Sequence, residues 1–186
     1  MSNFVAIIGR PNVGKSTLFN RLIQRREAIV DSTSGVTRDR HYGKTDWNGK
    51  EITLIDTGGD VVGGDDTFES EIDQQVEVAI YEADAIFFVV DVQVGVNVMD
   101  EEVARLLHRS DKPVFLVVNK VDNALRIPDV VDFFALGIEQ IFNVSAVNGS
   151  GTGELLDAVI DALPESKQPE NNDLPRFAVV GRPNAG

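Results

Sequence analysis

The chain has no cysteine, which excludes disulfides and thiolate metal sites. Aromatic residues are few, at 7%. No apolar run approaches the ~18 residues of a membrane span. The N-terminus enters Asn3-Phe4-Val5-Ala6-Ile7-Ile8 without the basic stretch or small-residue cleavage pattern of a signal peptide. A cytoplasmic protein with no membrane association is therefore expected. One absence is local. Residues 51–104 contain no Lys or Arg against fifteen Asp and Glu, whereas residues 1–50 carry nine basic and four acidic side chains. The net charge of −13 repels nucleic acid, while the basic first third can steer a polyphosphate ligand. Acidic surface of this kind ordinarily serves solubility.

With 186 residues and 42% hydrophobic content, the chain can bury the core of one ordinary domain. Five short β-rich runs, at 4–8, 52–55, 85–90, 114–118 and 141–144, are apolar on both faces, as in parallel strands covered on both sides. Helical spacing joins Ile72, Val76, Ala79 and Ile80, then Val103, Leu106 and Leu107, then Leu155, Leu156, Val159, Ile160 and Leu163, the last set behind Thr152 as N-cap. Residues 41–47 and 50–55 pair as a hairpin through Asn48-Gly49. The expected fold is α/β: a mostly parallel six-stranded sheet with one antiparallel strand and helices on both faces.

The first domain is expected to span residues 1–163, and a Pro-punctuated polar linker residues 164–176. From Gly181, the sequence Gly-Arg-Pro-Asn-Ala-Gly186 matches Gly9-Arg-Pro-Asn-Val-Gly14 in five of six positions at an offset of 172 residues. A domain-sized offset indicates tandem domains, with residues 177–186 as the truncated start of a second.

Gly9-Arg10-Pro11-Asn12-Val13-Gly14-Lys15-Ser16 fits the phosphate-loop pattern between a predicted strand and a predicted helix. Its glycines let backbone N–H groups surround phosphate oxygens. Lys15 supplies positive charge to the β- and γ-phosphates, Ser16 a hydroxyl for Mg²⁺, and Thr17 an N–H for the α-phosphate. Asp56-Thr57-Gly58-Gly59 follows the next parallel strand. Asp56 is placed to hold a Mg²⁺ water and Gly59 to offer its N–H to a γ-phosphate. Asn119-Lys120-Val121-Asp122 follows the strand at 114–118. The Asp122 carboxylate can accept from guanine N1–H and the 2-amino group, a donor pair adenine lacks. Asn119 can reach N7 or brace loops, the Lys120 stem can lie on the ring, and Ala146 N–H, after Ser145, can donate to O6. Thr37, in the loop 35–39, can reach both Mg²⁺ and the γ-phosphate.

These motifs resemble those of the translation-factor-like P-loop GTPases and are most similar to the bacterial Der (EngA) family. The resemblance covers residues 4–163 and the opening of a second domain. It implies a Ras-like P-loop GTPase fold, GTP and GDP as ligands, Mg²⁺ as cofactor, GTP hydrolysis, and a full-length protein acting on the large ribosomal subunit. It also selects Thr37 over Thr33 as the loop ligand. Lys15, Thr37, Gly59 and Asn12 are the expected catalytic group. Asn12 resembles the asparagine that holds K⁺ in potassium-activated GTPases, which implies slow hydrolysis stimulated by K⁺. Asp60 stands where many GTPases carry a water-orienting Gln. RNA binding does not carry over to this chain. Two alternatives remain open: a nucleotide-gated binding module with negligible turnover, and a P-loop ATPase, which Asn119 and Asp122 disfavour.

Overall fold

The structure, a computed structural model, describes residues 3–23, 41–57, 77 and 79–164. Six strands form one sheet: β1 (Asn3–Ile8), β2 (His41–Trp47), β3 (Lys50–Asp56), β4 (Ala85–Asp91), β5 (Val114–Asn119) and β6 (Gln140–Asn143). Their spatial order is β2-β3-β1-β4-β5-β6, with only β2 antiparallel to its neighbour. The expected fold class is therefore the observed one. β1 lies centrally, and the strands that follow it pair on opposite sides, β3 on one and β4 on the other. In open α/β sheets a crevice opens at the carboxyl end of such a strand.

Side-chain alternation divides the core in two. Val5, Ile7, Phe87, Val89, Phe115 and Val117 face a layer formed by α1 (Lys15–Ile23) and α3 (Thr152–Ala162). Ala6, Ile8, Ile86, Phe88, Leu116 and Val118 face the other layer. That layer is built by α2 (Val98–Leu107), the helical residues 79–82 and a run of 3₁₀ turns over Ala124–Leu136. Both faces of β1, β4 and β5 are thus buried, which is why these strands read as unbroken apolar runs. Phe87 and Phe115 meet edge to face at 6.0 Å in the first layer.

The hairpin turn forms as expected. Asn48 and Gly49 both adopt positive φ (51° and 78°), as a two-residue turn matched to strand twist requires. The turn is tied to α3, because Asp157 Oδ1 accepts from Trp47 Nε1 at 2.7 Å and Asn48 Nδ2 at 3.0 Å.

Two local expectations are corrected. β6 covers Gln140–Asn143 rather than 141–144, and as an edge strand it is only partly covered. Thr152 is not the N-cap of α3; Gly151 is, and Thr152 is the first helical residue. A Cβ at Gly151 would lie 2.0 Å from the Asn143 carbonyl oxygen, so the cap must be glycine, with φ 74°. The Thr152 hydroxyl donates instead to the Gly149 carbonyl at 2.8 Å. The 3₁₀ run carries Pro128, which has no N–H to donate to a regular helix, and it ends at Gly137 in the left-handed conformation. The sequence pattern did not expose this run. Ile72 and Val76, the linker beyond Pro164 and residues 177–186 lie outside the described residues.

Candidate nucleotide site

The loop between β1 and α1, residues 9–14, sits at the carboxyl end of the central strand. Lys15 opens α1 and folds back over this loop. Its Nζ donates to the Gly9 carbonyl at 2.8 Å and the Arg10 carbonyl at 2.9 Å. Burial lowers the Lys15 pKa from its ordinary 10.5; the Asp56 carboxylate opposes the shift and the Arg10 guanidinium adds to it. Lys15 and Asp56, 41 positions apart in the chain, therefore interact electrostatically at the ends of β3 and α1. Asp56 is almost fully buried there, and Thr57 beside it donates its hydroxyl to the Ile7 carbonyl at 2.8 Å. Ser16 and Thr17 are exposed at the N-terminus of α1, the end where a helix favours anions.

The second half of the site is joined to the first by side chains. Asn119, buried at the end of β5, donates Nδ2 to the Val13 carbonyl at 2.8 Å and accepts from the Ala146 N–H through Oδ1 at 3.0 Å. One amide thus ties the phosphate loop to the loop after β6. Gly14 is required beneath it: its φ is 98°, and a Cβ would lie 2.4 Å from Asn119 Nδ2. Lys120, itself at φ 66°, places Nζ 2.6 Å from Asp91 Oδ2 and 3.0 Å from the Asn12 carbonyl oxygen. Asp122 is exposed. Ser145, fully buried, donates its hydroxyl to Asp122 Oδ1 at 2.6 Å, and Asn148 Nδ2 donates to the Asp122 carbonyl at 3.3 Å. Val121 packs into the core.

The structure therefore gathers Gly9, Arg10, Pro11, Asn12, Val13, Gly14, Lys15, Ser16, Thr17, Asp56, Thr57, Asn119, Lys120, Val121, Asp122, Ser145 and Ala146 at one end of the sheet. Thr37, Gly58, Gly59 and Asp60 lie outside the described residues.

Sequence reading missed three supporting groups. Asp91 ends β4 and pairs with Lys120; an acidic residue closing the run Ala85–Val90 was its available signal. Arg21 on α1 binds the carbonyls of Ala146 and Val147, across more than 120 residues of sequence. Asp100, fully buried in the capping box at the start of α2, approaches Arg10 Nε to 3.3 Å. Burial raises the Asp100 carboxyl above its ordinary value, and Arg10 opposes that shift. Asp100 had a local signal, the three-residue capping-box spacing from Asn97, but its pairing with Arg10 did not, and Arg21 had none.

A phosphate loop closing the central strand of this sheet order, bound through an Asn to a base-side loop on the strands beyond it, defines the fold of a P-loop GTPase domain. Residues 4–120 match the family described as "50S ribosome-binding GTPase", and the chain belongs to that family. It is 68% identical over 186 residues to the GTPase Der of Christiangramia forsetii and 56% identical over 189 residues to that of Symbiobacterium thermophilum. The whole chain is covered in both, but it spans only 43% and 40% of those relatives. The similarity to the Der family read from the motifs is thus borne out.

Among solved structures, a variant of Aquifex aeolicus Era bound to GDP and aluminium fluoride is 30% identical, with TM-score 0.71. That match covers 89% of this chain and 58% of the other. The G domain of the Thermotoga maritima iron transporter FeoB is 27% identical, with TM-score 0.64, covering 87% of this chain and 99% of that one.

Proposed function

We propose that the described domain is a Mg²⁺-dependent guanine-nucleotide switch that hydrolyses GTP to GDP and phosphate. In this reading it is the first of two tandem GTPase domains, and the full-length protein acts in the cytoplasm on the large ribosomal subunit. The observation that carries the reading is the Asn119 bridge, which brings Lys15 and Asp122 to the same end of the sheet. A phosphate-binding cation and a carboxylate suited to guanine then serve one ligand. Among the described residues no helix is long and apolar enough to cross a membrane.

The residues present fit Mg²⁺. This ion is ordinarily held by one or two carboxylates together with substrate phosphates, not by an all-protein cage. The exposed Ser16 hydroxyl and the Asp56 carboxylate are oxygen donors at the ends of neighbouring elements, and Lys15 stands electrostatically close to Asp56. Bound there, Mg²⁺ would neutralise charge on the phosphates. Lys15 holds the β- and γ-phosphates and Asp122 orients the base, while the Ala146 N–H, expected from the sequence to donate to O6, donates to Asn119 Oδ1 here. Thr37 and the Gly59 N–H are the proposed contacts to the γ-phosphate.

Asn12 is exposed in the phosphate loop at φ 65°, with its carbonyl oxygen held by Lys120. Its side-chain amide oxygen is of the type that suits a monovalent cation, and K⁺ is proposed as a stimulating ion beside phosphate.

Titration calorimetry with GTP, GDP and ATP, with and without Mg²⁺, tests the reading together with turnover in KCl and NaCl at matched ionic strength. The expected result is guanine-selective, Mg²⁺-enhanced binding of one nucleotide per chain, with slow turnover that rises in K⁺. Equal binding of ATP and GTP overturns it. Equal rates in the two salts remove Asn12 from the catalytic group.

A further inference from the structure

Val13, fully buried in the core, anchors the second half of the phosphate loop. The first half has less to hold it. Gly9 has no side chain and takes φ 148°, and Pro11 and Asn12 are exposed. There the side chain that reaches another element is that of Arg10. Its Nε stands 3.3 Å from Oδ1 and 3.4 Å from Oδ2 of Asp100, 90 positions away in the chain. Asp100 is itself fixed: it is fully buried, and its Oδ2 accepts from the Asn97 N–H at 3.2 Å in the capping box of α2. The pair is poorly arranged for stability. Arg10 Nη2 and Asp100 Oδ1 are buried without a hydrogen-bond partner among the described residues. A buried ion pair with groups left unsatisfied offsets its own desolvation poorly.

What the pair does secure is the backbone of Arg10. Lys15 Nζ donates to the Arg10 carbonyl at 2.9 Å and to the Gly9 carbonyl at 2.8 Å. An ammonium carries three donors, so two are engaged and one is left for a phosphate oxygen. The direction of the third follows from the other two, because the three lie at fixed angles about the nitrogen. We infer that Asp100 is a positioning residue for phosphate binding, acting through Arg10 to fix the carbonyls that aim Lys15. The inference rests on the nucleotide reading above and deepens it. Arg10 precedes Pro11, which confines its ψ, and peptide planes are rigid. With its side chain anchored as well, the Arg10 carbonyl has little room to turn. Without the anchor, Gly9 lets this half of the loop swing. Ordering then falls to the nucleotide and appears as lost affinity.

GDP dissociation constants, denaturant midpoints and the nitrogen NMR signal of Lys15 Nζ in the nucleotide-free chain test this across four variants. Asp100→Asn keeps an acceptor for the Asn97 N–H but removes the charge; it is expected to weaken GDP about tenfold and to shift the Lys15 signal. Arg10→Lys, whose ammonium can still pair with Asp100, is expected to retain part of the affinity. Arg10→Met combined with Asp100→Asn leaves no buried charge unpaired. Its midpoint is expected to stay near that of the unmodified chain while GDP remains about tenfold weaker. Asn97→Ala removes the cap but not the pair, and is expected to lower the midpoint with the GDP constant unchanged. An unchanged GDP constant in the double variant, an unmoved Lys15 signal, or an equal loss of affinity in Asn97→Ala overturns the inference. Failure of the unmodified chain to bind GDP is a different result and overturns the nucleotide reading on which it rests.

Discussion

The hydroxyl of Ser145 donates to Oδ1 of Asp122 at 2.6 Å, across 23 residues of sequence, and thereby fixes the rotation of the carboxylate proposed to read the base. A carboxylate with one oxygen anchored keeps its remaining lone pairs aimed in one direction. Asp122→Ala is expected to cost about 2–5 kcal/mol of guanine-nucleotide affinity, the range for removing a hydrogen-bonded charged partner. Ser145→Ala is expected to cost only about 1 kcal/mol, the net worth of a hydrogen bond. Asp122→Asn should turn preference toward xanthine nucleotides, because an amide donates where the carboxylate only accepts. Calorimetry with GDP, XDP and ADP checks all three.

Asn119 should matter before any nucleotide arrives. Its amide satisfies the Val13 carbonyl and the Ala146 N–H, both inside the fold. Asn119→Ala strands two backbone groups, at about 1–3 kcal/mol for each one left unsatisfied and buried. Urea denaturation of the nucleotide-free chain should therefore show a lower midpoint with an unchanged slope. Loss of binding with an unchanged midpoint would confine Asn119 to the ligand.

Lys15 should titrate below its ordinary 10.5, since burial disfavours the ammonium more than Asp56 favours it. Between the folded and unfolded values the unfolded chain binds more protons, so this group adds stability as pH rises through that window. Asp56→Asn removes the opposing carboxylate and should lower the Lys15 value further. Heteronuclear NMR of the Lys15 side chain reads both. A midpoint at or above 10.5 in the unmodified chain contradicts the burial argument.

Metal and phosphate contacts should separate by substitution. Ser16→Ala is expected to abolish most of the gain in affinity that Mg²⁺ confers, while Lys15→Ala weakens GTP and GDP with or without it. Thr37→Ala should slow hydrolysis far more than it weakens GDP, because its proposed contact is with the γ-phosphate alone. Single-turnover hydrolysis beside GDP titration distinguishes the outcomes, and unchanged turnover would exclude Thr37.

Much of this architecture was readable in advance because it depends on local patterns. The buried strands show as apolar runs since both their faces are covered, and Asn48-Gly49 reads as a turn since its backbone needs positive φ. The phosphate loop and the Asn-Lys-Val-Asp segment are short contiguous strings whose chemistry lies in their spacing. Other features followed no local pattern. The N-terminus of α3 was placed one residue too late, at Thr152, because a hydroxyl is a good cap in isolation. The Asn143 carbonyl, eight residues away, leaves room there only for glycine. The 3₁₀ run over Ala124–Leu136 was not seen, since Pro128 interrupts the helical period on which such a reading depends.

By itself the sequence determined the strand-and-helix alternation, the Gly9–Ser16 string and the Asn119–Asp122 segment, because each is encoded within a few consecutive residues. Only the tertiary structure decided the order β2-β3-β1-β4-β5-β6 and the side chains that hold the site together: Asn119 across the two loops, Asp91 on Lys120, and Arg21 on the carbonyls of Ala146 and Val147. These contacts join residues 27 to more than 120 positions apart. Such pairs meet only after the parallel sheet has assembled and brought the carboxyl ends of its strands side by side, so no window of the sequence contains them.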